Sequence, residues 1–249
     1  MIKLISLSPE ITLVKEEAQI ELIEFLFPVF RSVVSHLKIH CAQSEKLLID
    51  CTNKVINPYC LRLNDGNWII RLKGWGDPYH TPFMLGHELC HYFIRSTSYI
   101  KDRTLLTGRV YPIEEVIASI MGEYAIDMAQ NLYRHDQYAL GLAHVSEQKM
   151  VRNRLSHQAI EAKYGNLGSV PLVEPISGNL DYVNIELLAF RIFPIFQEHP
   201  QLWEILPYSL PIIVQYNPPS LKVFLSLMKE RVGDECRNAI DCLWAFLYP

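Results

Sequence analysis

Apolar residues between positions 112 and 134 fall at Ile113, Val116, Ile117, Ile120, Met121, Tyr124, Met128 and Leu132. Steps of three and four place them on one face of a helix, so the pattern predicts a long helix there. A second stripe, from Ile20 through Leu26 and Phe30 to Leu37, predicts a helix over 14–40, bent or split at Pro28. Between them the period changes. Segments 47–51, 59–63 and 68–72 are short and rich in apolar residues, and the last two flank Asn64-Asp65-Gly66-Asn67. Asp-Gly between such runs is a hairpin signal, so a small antiparallel sheet is expected ahead of position 80. Positions 1–10 read as a short strand and turn. Further helices are expected over 147–163, behind the cap Ser146, and over 183–198, 219–232 and 236–247. Stretch 164–180 collects Gly165, Gly168, Pro171, Pro175 and Gly178 and reads as a boundary. The expected organisation is a domain over 1–165 and a mostly helical region over 166–249.

Composition adds limits. A net charge of −4 gives no whole-chain electrostatic case for nucleic acid or an acidic membrane. No basic start followed by an apolar run marks a secretory leader. The longest uncharged stretch of the C-terminal half, 205–221, contains Pro207, Pro211, Pro218 and Pro219, which argues against a single spanning helix. The cysteines at 41, 51, 60, 90, 236 and 242 include no Cys-x-x-Cys pair. That argues against a thiolate metal site and fits reduced thiols in a cytoplasm.

The candidate chemistry lies in 81–93, TPFMLGHELCHYF. Thr81 is suited to an N-cap and Pro82 to the first helical position. Residues four apart share a helix face, so His87 and His91 can offer imidazole nitrogens to one metal ion. Glu88 can then act as general base toward an attacking water, which is the chemistry of the His-Glu-x-x-His pattern of zinc peptidases. Cys90 sits inside the motif and reads as a small buried residue. The bland alternative is a surface helix carrying two histidines by chance.

Two histidines leave a catalytic zinc site one ligand short. The helix over 112–134 offers Glu114, Glu115 and Glu123. The first two fall in the opening turn, where acidic residues are expected from the helix dipole alone. Glu123 has small and apolar helical neighbours in Ser119, Ile120 and Ile126, and Asp127 follows one turn later. Glu-x-x-x-Asp suits a ligand and a carboxylate that orients a zinc-bound histidine, so Glu123 is the expected third ligand and Asp127 its partner. Tyr111, His135, His144 and His157 are candidates by type for steadying an oxyanion, and His80 for lining the cleft; the sequence does not choose among them.

The order of these motifs resembles the gluzincin branch of zinc peptidases, and more narrowly the ImmA/IrrE family. That family's motif tends to read Phe-Thr-x-Ala-His-Glu-Leu-Gly-His, against Phe83-Met84-Leu85-Gly86-His87-Glu88-Leu89-Cys90-His91 here. Its glutamate helix typically reads Glu-x-x-Ala-Asn/Asp; the segment from Glu123 to Leu132 is similar but offset at the alanine. Val145-Ser146 to Arg154-Leu155 resembles the family's Val-Ser…Arg-Leu segment. The resemblance covers about 59–155, and nothing after Ser169 takes part in it. It implies an α+β zincin-like core of a small antiparallel sheet, an active-site helix and a glutamate helix. It also implies Zn2+ as cofactor and a narrow protein substrate, a helix-turn-helix transcriptional repressor.

The leading expectation is therefore a cytoplasmic zinc endopeptidase, with His87, His91 and Glu123 as ligands, Glu88 as base, and strand 68–72 as the sheet edge that pairs with the substrate. One alternative is a binding module with a structural or degenerate zinc site, against which an intact Glu88 argues. Another is a DNA-binding regulator with a vestigial site, using Lys149, Arg152, Arg154 and Lys163. Glu147, Glu161 and the acidic whole weaken that reading.

Overall fold

The turn at 63–67 follows from its composition. In the computed structural model of the chain, Gly66 takes φ 89°, a conformation that disfavours side chains. Residues described are 3–6, 11–15, 29, 47–50, 58–72, 81–96, 111–132, 159, 162–218 and 220–249. The Leu63 amide donates to the Asn67 carbonyl at 2.7 Å, and the Asn67 amide donates to the Asp65 carboxylate at 3.0 Å. That bond holds the Asp65 carboxyl below the usual range. The turn joins β4 (Tyr59–Arg62) to β5 (Trp68–Arg71) as an antiparallel pair, with Cys60 opposite Ile70.

The rest of the sheet departs from the expected antiparallel arrangement. β3 (Leu47–Asp50) pairs with β5 in parallel, with Leu47 opposite Trp68 and Asp50 opposite Arg71. The Arg71 guanidinium meets the Asp50 carboxylate at 3.1 Å. β1 (Lys3–Ser6) and β2 (Ile11–Lys15) extend the sheet to the order β1-β2-β3-β5-β4. The sheet is thus mixed. β5 lies inside it with a neighbour on each side, so the expectation of an edge strand at 68–72 is corrected: the edges of the described sheet are β1 and β4. The reason is in β5 itself, whose Trp68, Ile69 and Ile70 are all buried. A strand apolar on successive positions suits burial on both faces. β2 also takes Val14 and Lys15, which the helical stripe had claimed; of that stripe only Val29, helical and buried, is otherwise described.

Helix α1 (Thr81–Ser96) packs against β4 and β5, with Trp68 edge-on to Tyr92 at 5.9 Å between ring centroids. Thr81 is its first residue rather than its cap. All of α1 except Met84 and Arg95 is buried, which rules out a surface helix. α2 (Pro112–Leu132) matches the predicted span, and its first turn closes with the Glu115 amide on the Tyr111 carbonyl.

After a short 3-10 turn at Leu167–Ser169, Val173 and Leu180 bridge a tight loop in which Gly178 takes φ 72°. Then follow α3 (Tyr182–Glu198), α4 (Leu206–Tyr216), α5 (Leu221–Lys229) and α6 (Asp234–Leu247). Asp181 caps α3 through the Asn184 amide, and Ser220 caps α5 through the Val223 amide. α4 forms in the proline-rich stretch where no single spanning helix was expected. It starts afresh after a 3-10 turn, so Pro207 falls in its first turn, where no amide is needed. Ile185, Leu188, Leu210, Phe224, Met228 and Ile240 form the core of this region. Among the described residues no helix is long and apolar enough to cross a membrane.

Contacts group the chain into 1–97 with 121–144 and 98–120 with 145–249, so the grouping changes within α2, whereas composition put the boundary at 164–180. The protein is α+β and mostly helical.

Candidate metal centre

Helix α1 carries three polar side chains that burial makes costly. His87, Glu88 and His91 are 7%, 4% and 6% exposed. An ionised carboxylate is buried only when it is paired or coordinates a cation. The Nε2 atoms of His87 and His91 lie 3.2 Å apart and their ring centroids 4.9 Å apart. Two nitrogens about 2.0–2.1 Å from one tetrahedral ion would be separated by about 3.3 Å, so the spacing fits two ligands of one metal.

The carboxylate that joins them is Glu115. Donor atoms of His87, His91 and Glu115 all lie within 4.8 Å of one another, and all three residues are buried. This buried His-His-Glu group could hold a metal ion. Glu115 stands in the group where the sequence reading put Glu123. Glu123 is buried on the same helix, and Asp127, half-buried, accepts a hydrogen bond from the Asn131 side-chain Nδ2 at 3.3 Å. They lie eight and twelve residues beyond Glu115, about 12 and 18 Å along the axis, so one helix cannot bring all three to one ion.

An acid placed in the first turn by the helix dipole alone is expected to be exposed. Instead Glu114 and Glu115 are 0% and 4% exposed. A signal was available in the residues themselves: Glu115 has small alanine three positions on, at Ala118, where Glu123 has Ile126, so the surround of Glu115 is no less compact.

Among the oxyanion candidates, Tyr111 is half-buried just before α2. His80, His135, His144 and His157 lie outside the described residues, as do Lys149, Arg152 and Arg154 of the basic helix. Lys163 is exposed, its ammonium 4.9 Å from the Tyr164 ring centre. Cys90 is buried, as its reading as a small core residue requires.

Farther along α2, burial and then the Asp127 charge push the Tyr124 hydroxyl up to about 12. A folded-state value above the ordinary 10 gives stability that is complete below pH 10 and lost as pH rises through 12. The shift corresponds to about 2–3 kcal/mol. Tyr124→Phe is therefore expected to lose less stability than wild type between pH 10 and 12, read by urea denaturation across that range. Parallel losses in the two proteins would show that Tyr124 does not carry the effect.

No protein-family model matches the chain, and no curated protein or solved structure matches it either.

Proposed function

We propose that the chain is a zinc-dependent endopeptidase of the ImmA/IrrE-like kind, with His87, His91 and Glu115 as metal ligands and Glu88 as general base. The observation that carries the reading is the buried His-His-Glu donor group with Glu88 directly after its first histidine. Two histidines and a glutamate form a donor set of catalytic zinc sites, which keep a fourth position open. When bound, zinc would polarise the scissile carbonyl and acidify the attacking water.

Glu88 follows a ligand but is turned about 100° from it around the helix, so its carboxylate serves the water rather than the ion. It takes the proton from the attacking water and delivers it to the leaving amine. The substrate backbone is proposed to add along β4, the sheet edge packed against α1. The resemblance supports an intracellular protein substrate, a helix-turn-helix repressor. Free thiols at Cys236 and Cys242 fit a cytoplasmic setting.

Zinc-loaded protein incubated with candidate repressors should yield fragments by mass spectrometry. Cleavage should stop with a chelator and return with zinc. Intact repressor that is nevertheless retained on the zinc-loaded protein would make it a binding module instead. The ligand assignment has its own test. Glu115→Ala is expected to weaken zinc binding far more than Glu123→Ala, measured by competition with a chromophoric chelator. The reverse ranking would return the third ligand to Glu123.

A further inference from the structure

Helices α1 and α2 approach closely at two glycines, one on each. A Cβ built on Gly86 would lie 2.5 Å from the Met121 carbonyl oxygen and 2.7 Å from the Ala125 Cβ. A Cβ on Gly122 would lie 2.7 Å from Cδ2 and Cε2 of the Phe83 ring. That ring in turn lies against His87, with centroids 6.0 Å apart and planes inclined by 31°. Glycine weakens a helix interior, because it gives up the most backbone freedom on folding. Two glycines at one crossing therefore call for a reason beyond local propensity.

The reason lies one residue away. Gly86 precedes His87, and α2 carries Glu115. A metal tolerates donor distances only within about 0.2 Å of their preferred values. We propose that Gly86 and Gly122 are positioning residues of the metal centre: Gly86 admits the α2 backbone, and Gly122 seats the Phe83 ring that flanks His87. This rests on reading His87, His91 and Glu115 as the ligands. The two contacts differ in kind. Met121 presents a backbone oxygen, which yields only if a helix shifts. Phe83 presents a side chain, which can rotate, but its displacement disturbs the contact with His87.

The test compares wild type, Gly86→Ala, Gly122→Ala and Gly122→Ala/Phe83→Leu. Three quantities are read: zinc affinity by chelator competition, the visible spectrum of the Co2+-loaded protein, and the circular dichroism of the metal-free protein. Gly86→Ala is expected to bind zinc roughly 10–100-fold more weakly, as changes behind a ligand do, with an altered Co2+ spectrum and retained helicity. Gly122→Ala should lose less, and adding Phe83→Leu should restore most of the loss. Wild-type affinity and an unchanged Co2+ spectrum in both single variants would overturn the proposal. If Gly86→Ala does not fold, the Gly122 pair decides: a loss reversed by Phe83→Leu supports positioning, and no loss or no reversal overturns it. A wild type that takes up no zinc would instead defeat the metal assignment itself, before any variant is compared.

Discussion

Replacing either His87 or His91 by alanine is expected to remove stoichiometric zinc from the protein. The two nitrogens, 3.2 Å apart, are two of the three donors in the group, and a site left with one imidazole and one carboxylate does not compete with a chelator for Zn2+. The substitution also acts on stability. α1 and α2 bury four carboxylates, those of Glu88, Glu114, Glu115 and Glu123. A cation held at Glu115 would offset part of the cost of burying that carboxylate. Metal bound only to the folded state stabilises it by mass action, so zinc should raise the wild-type melting temperature and leave His87→Ala unmoved. Elemental analysis after dialysis against a chelator gives the direct reading. A full complement of zinc in His87→Ala would remove the site from consideration.

Glu88→Gln separates an enzyme from a module with ordered metal. The amide keeps the size of the side chain and one acceptor oxygen, but it cannot take a proton. The variant should fold, hold zinc as the wild type does and still bind substrate. Its cleavage rate should fall roughly 10²–10⁴-fold, the usual contribution of a positioned general base. Equal fragment yields from the two proteins, both loaded with zinc, would exclude Glu88 as the base. Retained binding with no fragments from either would indicate a module.

Local signals in the sequence carried the elements that are set locally. The Asp65-Gly66 turn, α1, and the 3.6-residue period of α2 are all legible because neighbours in sequence decide them. Pairings between distant segments are not. Nothing near Leu47 announces that β3 runs parallel to β5, since both parallel and antiparallel partners accept the same residues. Glu115 was hidden for a related reason: exposure was inferred from its first-turn position, but burial depends on what packs over that turn. Apolar neighbours single out Glu123 and Asp127 in the sequence, but an apolar surround marks any buried stretch of helix and does not choose between Glu115 and Glu123. In α4, local rules applied to the whole proline-rich stretch hid a helix that begins partway along it, with Pro207 harmless in its first turn.

The interior place of β5 bears on how the chain assembles and on how it fails. The β4–β5 hairpin closes over five residues and can form in microseconds. β3 meets β5 only after segment 51–67 closes, and β2 meets β3 only after 16–46 closes, so these parallel pairings close larger loops and form later. Until β3 arrives, Trp68-Ile69-Ile70 is an unpaired apolar edge, the kind of segment that recruits copies of itself. Variants that loosen β3 should therefore precipitate during refolding before they show any loss of chemistry, and their yield should fall as protein concentration rises.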